Sequence, residues 1–368
     1  MGRGEARAPA MLRLLCALSA VCAPCVALPL ACGHASSGSA APPGAPPTQI
    51  TAAHNYAVHK LYLGDTDRTG IANPSAWASF GYNLDGLVTT AASTDVCSLV
   101  AGAAPATQQD GLGGVDNSFG ENIVPILANI DGAFSASLNA AIEAGRLTFM
   151  TYAVGFDDSV GNTTTASGLT GVFLGGADYR SLHDAGPVWD LTTVWPVLST
   201  SLDCPMTGCP PGTNPVTSAS VQLPDAAQAG GRFVGAASNP VTVTLSIGGG
   251  SSLQLIIHAA SITFDPDRPG AVTNGTIAGV LSAAELSASL QTGMPSLCSG
   301  DNFDSIAGQL VQASDIVLGS DGETVSNMAG RACNGISIGL GFDATEIALP
   351  AAGDILGRSG AGCSCGCD

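Results

Sequence analysis

The chain has 368 residues, is 45% hydrophobic and only 11% charged, and carries a formal net charge of −18 with Lys60 as its one lysine. Without clustered Lys or Arg it has nothing to displace counterions from a phosphate backbone, which excludes nucleic acid as a partner. So few Lys, Glu and Arg also argue against long solvated helices, while abundant Gly, Ser, Thr and Val suit short strands joined by turns.

Residues 1–32 read as a targeting segment. Arg3, Arg7 and Arg13 precede an apolar run, and small residues follow, the order of a secretory signal. Met11 offers a second start and a more compact signal. The stretch "LPLAC" resembles a bacterial lipobox, which would make Cys32 the lipidated residue. Pro29 stands where that motif carries leucine, and Leu28 lies one residue earlier. General signal-peptidase cleavage near Ala35 is the alternative. An uncleaved anchor is disfavoured, because Pro24 and Pro29 interrupt a run barely long enough to span a bilayer. Residues 33–47 are Gly, Ala, Ser and Pro with one histidine, the composition of a flexible tether. Anchor and tether together place a folded domain at a membrane surface, the outer membrane or cell surface, with a periplasmic or secreted form as the alternative.

Residues 48–350 are expected to form a single β-rich domain. It opens with "HNYAVHKLYL", where His54 and His59 are five apart. Read as a helix, that spacing puts them on different faces, whereas zinc pairs prefer four apart, so both are expected to be packing or surface residues. Three loops of similar style follow. "GDTDRTG" carries Asp65 and Asp67, "GYNLDG" carries Asn83 and Asp85, and "DGLGGVDN" carries Asp110, Asp116 and Asn117. Calcium takes six to eight oxygens from carboxylates, amides and carbonyls, which closely spaced Asp, Asn and Gly can supply. Neither candidate EF-hand survives its template. Ala76 stands where the first needs a bidentate glutamate, and Leu112 and Val115 stand where the second needs oxygen and glycine. A calcium site shared among the three loops stays open, beside the plainer reading as Asx and hairpin turns.

Further along, "RLTFMTYAVGF" is strand-like, and "VTVTLSI" turns through "GGGSS" into "LQLIIHAASITF" as a hairpin with one apolar face. In "ISIGLGF", Ile336, Ile338, Leu340 and Phe342 share a face. Helices are fewer. Phe134, Leu138 and Ile142 recur at helical spacing with Gly145 as C-cap, Ser282 and Glu285 form a capping box, and Phe303, Ile306, Ala307 and Leu310 make a stripe that Asp301 or Asn302 caps. This pattern predicts a mainly β fold, an antiparallel β-sandwich with several packed helices, with α+β as the alternative.

Eight cysteines lie beyond Cys32, an even number that fits disulfides in an exported protein. Cys204 and Cys209 flank a tight loop and are expected to pair. Cys298 and Cys333 flank one helix–strand unit and could staple it, for about 3 kcal/mol in the chain-entropy treatment. Residues 351–368 read as a flexible tail whose Cys363, Cys365 and Cys367 could offer thiolates to a soft metal or be oxidised.

No G-x-S-x-G, H-E-x-x-H, phosphate loop or dinucleotide fingerprint is present. His183 and His258 stand alone. Trp189 and Trp195 read as core before a sugar platform, and the adjacent Asp157 and Asp158 point apart on a strand. The strings "AVHKLYLGDTDRTG", "AWASFGYNLDG", "GGVDNSFGENIVPIL", "NGTIAGVL", "QASDI" and "CNGISIGLGFDA" together resemble uncharacterised exported proteins, often lipoproteins, of myxobacterial type. The resemblance covers most of the chain after the tether. It implies export and transfers no activity. The expectation is therefore a cell-envelope lipoprotein whose β-rich domain binds a ligand or partner, with a possible structural calcium. A secreted hydrolase acting on polysaccharide or peptide, and a purely structural envelope protein, are the alternatives.

Overall fold

The computed structural model describes residues 52–130, 132–205, 208–247, 251–293 and 302–356. The leader, the tether, Cys32, Cys298, Asp301 and the cysteines of the tail lie outside them. Strand and loop dominate, and the fold is mainly β, as the composition implies. The strands are β1 (Ala53–Tyr62), β2 (Thr148–Val154), β3 (Ala166–Gly176), β4 (Val197–Leu198), β5 (Val221–Ala229), β6 (Arg232–Ala236), β7 (Val241–Ile247), β8 (Ser251–Arg268), β9 (Ala271–Ser282), β10 (Val317–Leu318), β11 (Val325–Ser326), β12 (Gly335–Glu346) and β13 (Ile355–Leu356).

The sheet is not a sandwich. Following the pairings from β3 through β2, β1, β12, β9, β8, β6 and β5, the path returns to β3, because β5 pairs with the other edge of β3. Every step is antiparallel, so eight strands form a closed barrel. Closure needs strongly curved strands, and curvature comes from bulges. β3 shifts register twice around Leu169, beside Gly168 in the left-handed region at φ 73°. β8 shifts three times and carries Ala259 at φ 48°. A pair of flat facing sheets would leave those irregularities without purpose.

Aromatic rings fill the barrel. Phe233 stacks on Phe264 with centroids 4.5 Å apart, and Phe149 stacks on Phe173 at 5.4 Å. Phe156 meets both Phe233 and Phe264 edge-on, and Phe342 meets Phe149. Glycine makes the room. A Cβ on Gly275 would lie 2.4 Å from the Phe342 ring, and one on Gly171 would lie 2.9 Å from Leu223. The interior is a packed core rather than a pore. Ile336, Ile338, Leu340 and Phe342 point into it together, as their alternation predicts. On the opposite face of β12, Gly339 and Gly341 let Phe80 lie directly on the strand.

"HNYAVHKLYL" is strand β1, not helix. Val, Tyr and His favour the pleated, half-buried position between β2 and β12 over a helix. The helices are α1 (Val124–Ile130), α2 (Phe134–Glu143), α3 (Ala283–Gly293) and α4 (Asn302–Gln312). Phe134, Leu138 and Ile142 are buried on α2, and Gly145 sits at φ 82° beyond its end. The capping box on α3 is half made. The Glu285 amide donates to Ser282 Oγ at 3.4 Å, but the Glu285 carboxylate turns instead to His258 Nε2 at 2.7 Å. By connectivity the helices gather at the barrel end where β1 finishes. The other end carries the start of β1, the end of β12, loop 155–165 and the turns after β5 and β8.

Cys204 and Cys209 are bonded, as expected. Cys333 pairs with Cys97 rather than with Cys298, because the chain at 97–98 lies beside 331–333 and holds it there by backbone hydrogen bonds. Residues 352–356 also stay in the fold, as a single helical turn and strand β13, which runs parallel to β4. The domain thus extends past 350. No described helix is long and apolar enough to cross a membrane.

Candidate functional site

The three carboxylate loops meet only in part. In the first, Asp67 Oδ1 accepts bonds from the Thr69 amide, the Thr69 hydroxyl and the Ile71 amide, which closes the turn on itself and lowers the Asp67 pKa. Among the described residues Asp65 and Asp67 form no hydrogen bond to the other two loops, and Asp65 Oδ1 is buried without a partner. Asn83 Oδ1 accepts from the Gly86 amide, and Asp85 Oδ1 accepts from the Leu87 amide at 2.8 Å, as in an Asx turn. Asn117 is fully used inside the fold. Its amide nitrogen donates to the carbonyls of Trp77, Phe80 and Gly339, and its oxygen accepts from the Gly120 and Gly339 amides. It is a strut between loop and barrel, with no lone pair left over for a metal.

Asp85, Asp110 and Asp116 are neighbours that feel one another's charge, although among the described residues they do not bring three ligand atoms within 4.8 Å of one another. Asp116 is 3% exposed, and its Oδ2 accepts the Leu84 amide at 2.6 Å, tying the third loop to the second. Asp110 accepts from the amide and hydroxyl of Thr89. Burial first, and then the charge of Asp85, push the Asp116 pKa up to about 9, and Asp315 and Asp110 add to it. Burial also raises Asp110, and Asp116 lies within hydrogen-bonding reach of it. Asp315, which bonds the amide and hydroxyl of Ser337, is raised by burial to about 7. One oxygen of Asp85 is buried without a partner. None of these four carboxylates is in an ion pair among the described residues. Asp116 and Asp315 are buried while Asp85 and Asp110 are half-buried, and burial with neighbouring negative charge favours the protonated form of Asp116.

A second group forms at the helix-free end of the barrel. His54 points inward from β1 and stacks on Tyr56 with centroids 5.7 Å apart. Its Nδ1 lies 2.9 Å from Glu346 Oε1 and 3.9 Å from Asp158 Oδ2. Asp157 and Asp158 do point apart. Asp157 Oδ1 accepts the Ser159 amide within its own loop, and Asp158 turns to His54.

The remaining candidates separate clearly. Trp195 is wholly buried and donates to the Ala177 carbonyl. Trp189 is half-buried, takes the strained φ of 62°, and lines a cavity of about 460 Å³ with His59, Lys60, Asn139, Glu143 and Arg268. His183 stacks on Tyr179, and His258 lines a cavity of about 340 Å³ with Glu285. No serine hydroxyl or cysteine thiol bonds a histidine among the described residues. Sequence reasoning missed Asp315 and the grouping of His54, Asp158 and Glu346. The first sits behind a helix in "QASDI", and the second is joined only by barrel closure. No protein-family model, curated protein or solved structure matches this chain.

Proposed function

We propose that this chain is an exported, envelope-anchored binding domain. Cys32 is its lipid-bearing residue, residues 33–47 are its tether, and calcium bound between Asp85, Asp110 and Asp116 stiffens its loop face. The observation that carries the calcium reading is a buried Asp116 beside half-buried Asp85 and Asp110, without a basic partner among the described residues and with one Asp85 oxygen that has no hydrogen-bond partner. A divalent cation removes the repulsion that otherwise forces a proton onto Asp116, and hard oxygen donors of this kind suit calcium. Asp67, Asn83 and Asn117 fall out of the ligand set because their oxygens close turns or brace the barrel, and Asp65, whose Oδ1 is buried without a partner, belongs to a loop that makes no side-chain bond to the other two among the described residues. The basic-then-apolar leader, the resemblance to exported lipoproteins and two disulfides support export, since disulfides persist in oxidising compartments. The rigid barrel presents its loops as a binding surface rather than a reaction centre.

Calorimetric titration of the full-length mature protein with calcium tests the site. One calcium per chain is expected for wild type and none for Asp116→Asn. Absence of heat together with an unchanged melting temperature on adding calcium would sink it.

A further inference from the structure

We propose that His54, Asp158 and Glu346 form a second cation site, specific for a divalent transition metal of the zinc class, at the helix-free mouth of the barrel. The three side chains come from three separate places, the start of β1, the β2–β3 loop and the end of β12, and one ligand atom from each lies within 4.8 Å of the other two. Tetrahedral zinc with bonds of 2.0–2.2 Å sets its ligand atoms about 3.3 Å apart. The distances of 2.9 Å and 3.9 Å from Nδ1 to the two carboxylates bracket that value, so shifts below about 1 Å would close the site. The charge also balances. Two carboxylates and a neutral imidazole offset one divalent ion, and no arginine or lysine pairs with either carboxylate among the described residues.

Tyr56 supplies an independent reason to expect an occupant. It is 1% exposed, yet its hydroxyl makes no hydrogen bond of good geometry. An orphaned polar group beneath two carboxylates is what a metal, or a water bound to it, would satisfy. An imidazole with two carboxylates is a donor set for zinc, whereas calcium takes oxygens alone. Three protein ligands leave a fourth position for water or for a group of a bound partner.

The test is titration of the mature chain with zinc, read by calorimetry, and with cobalt, read by absorption. One zinc is expected at this site, weakened roughly 100-fold or more in Asp158→Asn and in Glu346→Gln, and unchanged in Asp116→Asn. Asp158 lies half-buried on the β2–β3 loop, outside the strands, so its variant keeps the proposal testable should Glu346→Gln fold poorly; circular dichroism checks both. Cobalt bound here shows d–d bands without the sulfur-to-metal charge-transfer band that ligation by Cys363, Cys365 or Cys367 would give. Zinc binding that survives both substitutions, a thiolate band as the sole signal, or no binding at all would overturn the proposal. Loss of zinc binding in Asp116→Asn would also count against it, by showing one site where two are claimed.

Discussion

Replacing Asp116 by asparagine should stabilise the calcium-free protein, although it alters a buried group. The asparagine carbonyl can still accept the Leu84 amide, and its NH₂ can turn to the neighbouring Asp110 carboxylate. In the folded protein Asp116 holds its proton up to about pH 9, whereas the unfolded chain releases it near the ordinary value of 3.8. The folded state therefore binds the extra proton, and wild type loses stability as pH rises from about 4 towards 9. Between 3.8 and 7 lie about three pH units at about 1.4 kcal/mol each, a penalty on the order of 4 kcal/mol. Asparagine does not titrate, so the variant escapes it. In chelator at pH 7, urea denaturation should show D116N more stable by up to about that amount, roughly 8 °C in melting temperature. Its pH profile should be flatter, with the smaller rises of Asp315 and Asp110 left behind. Saturating calcium should reverse the order, because only wild type can bind it. If wild type is equally stable at pH 4.5 and pH 7 in chelator, and D116N is neutral or weaker, the buried carboxylates are not arranged as described.

Other outcomes follow from the same structure. Cys97 and Cys333 are 236 residues apart, so replacing Cys333 by serine should cost about 5 kcal/mol in the chain-entropy treatment, read from the urea midpoint, and peptide mapping under non-reducing conditions should recover the Cys97–Cys333 link. Gly275→Ala drives a methyl group into Phe342 and should cost about 1–3 kcal/mol by thermal denaturation, while Gly168→Ala, with open space around it but a left-handed backbone, should cost less than the clash does. Palmitate labelling should be present in wild type expressed in a host with lipoprotein export and absent in Cys32→Ser; unlabelled wild type would refute the anchor.

Local chemistry made some of the elements legible in the sequence, chiefly β2, β7, β8, β12 and helices α2 to α4. The alternation in "VTVTLSI" and "ISIGLGF" places strands β7 and β12, and the spacing of Phe134, Leu138 and Ile142 places α2, because burial of one face is decided by neighbours a few residues away. Closure of the barrel was not legible. It depends on β5 finding the free edge of β3 across about fifty residues, and on bulges that a periodicity reading treats as noise. His54 shows the same limit. Its role is invisible in "HNYAVHKLYL", because Asp158 and Glu346 reach it only when β1, β2 and β12 lie side by side. The carboxylate loops fall between. Their composition marked them, and Asp85, Asp110 and Asp116 are electrostatic neighbours, but which oxygens were free depended on the local amides. The Thr69 and Ile71 amides claim Asp67, and barrel backbone claims Asn117.

The central claim is that Asp85, Asp110 and Asp116 hold calcium in place of a proton. A crystal structure of protein grown in calcium, with anomalous data, tests it most directly. The expected result is one anomalous peak between those carboxylates, at 2.3–2.6 Å from their oxygens, roughly the calcium range. A carboxyl oxygen of Asp116 in direct hydrogen-bond contact with Asp110, with no peak between them in saturating calcium, would contradict it.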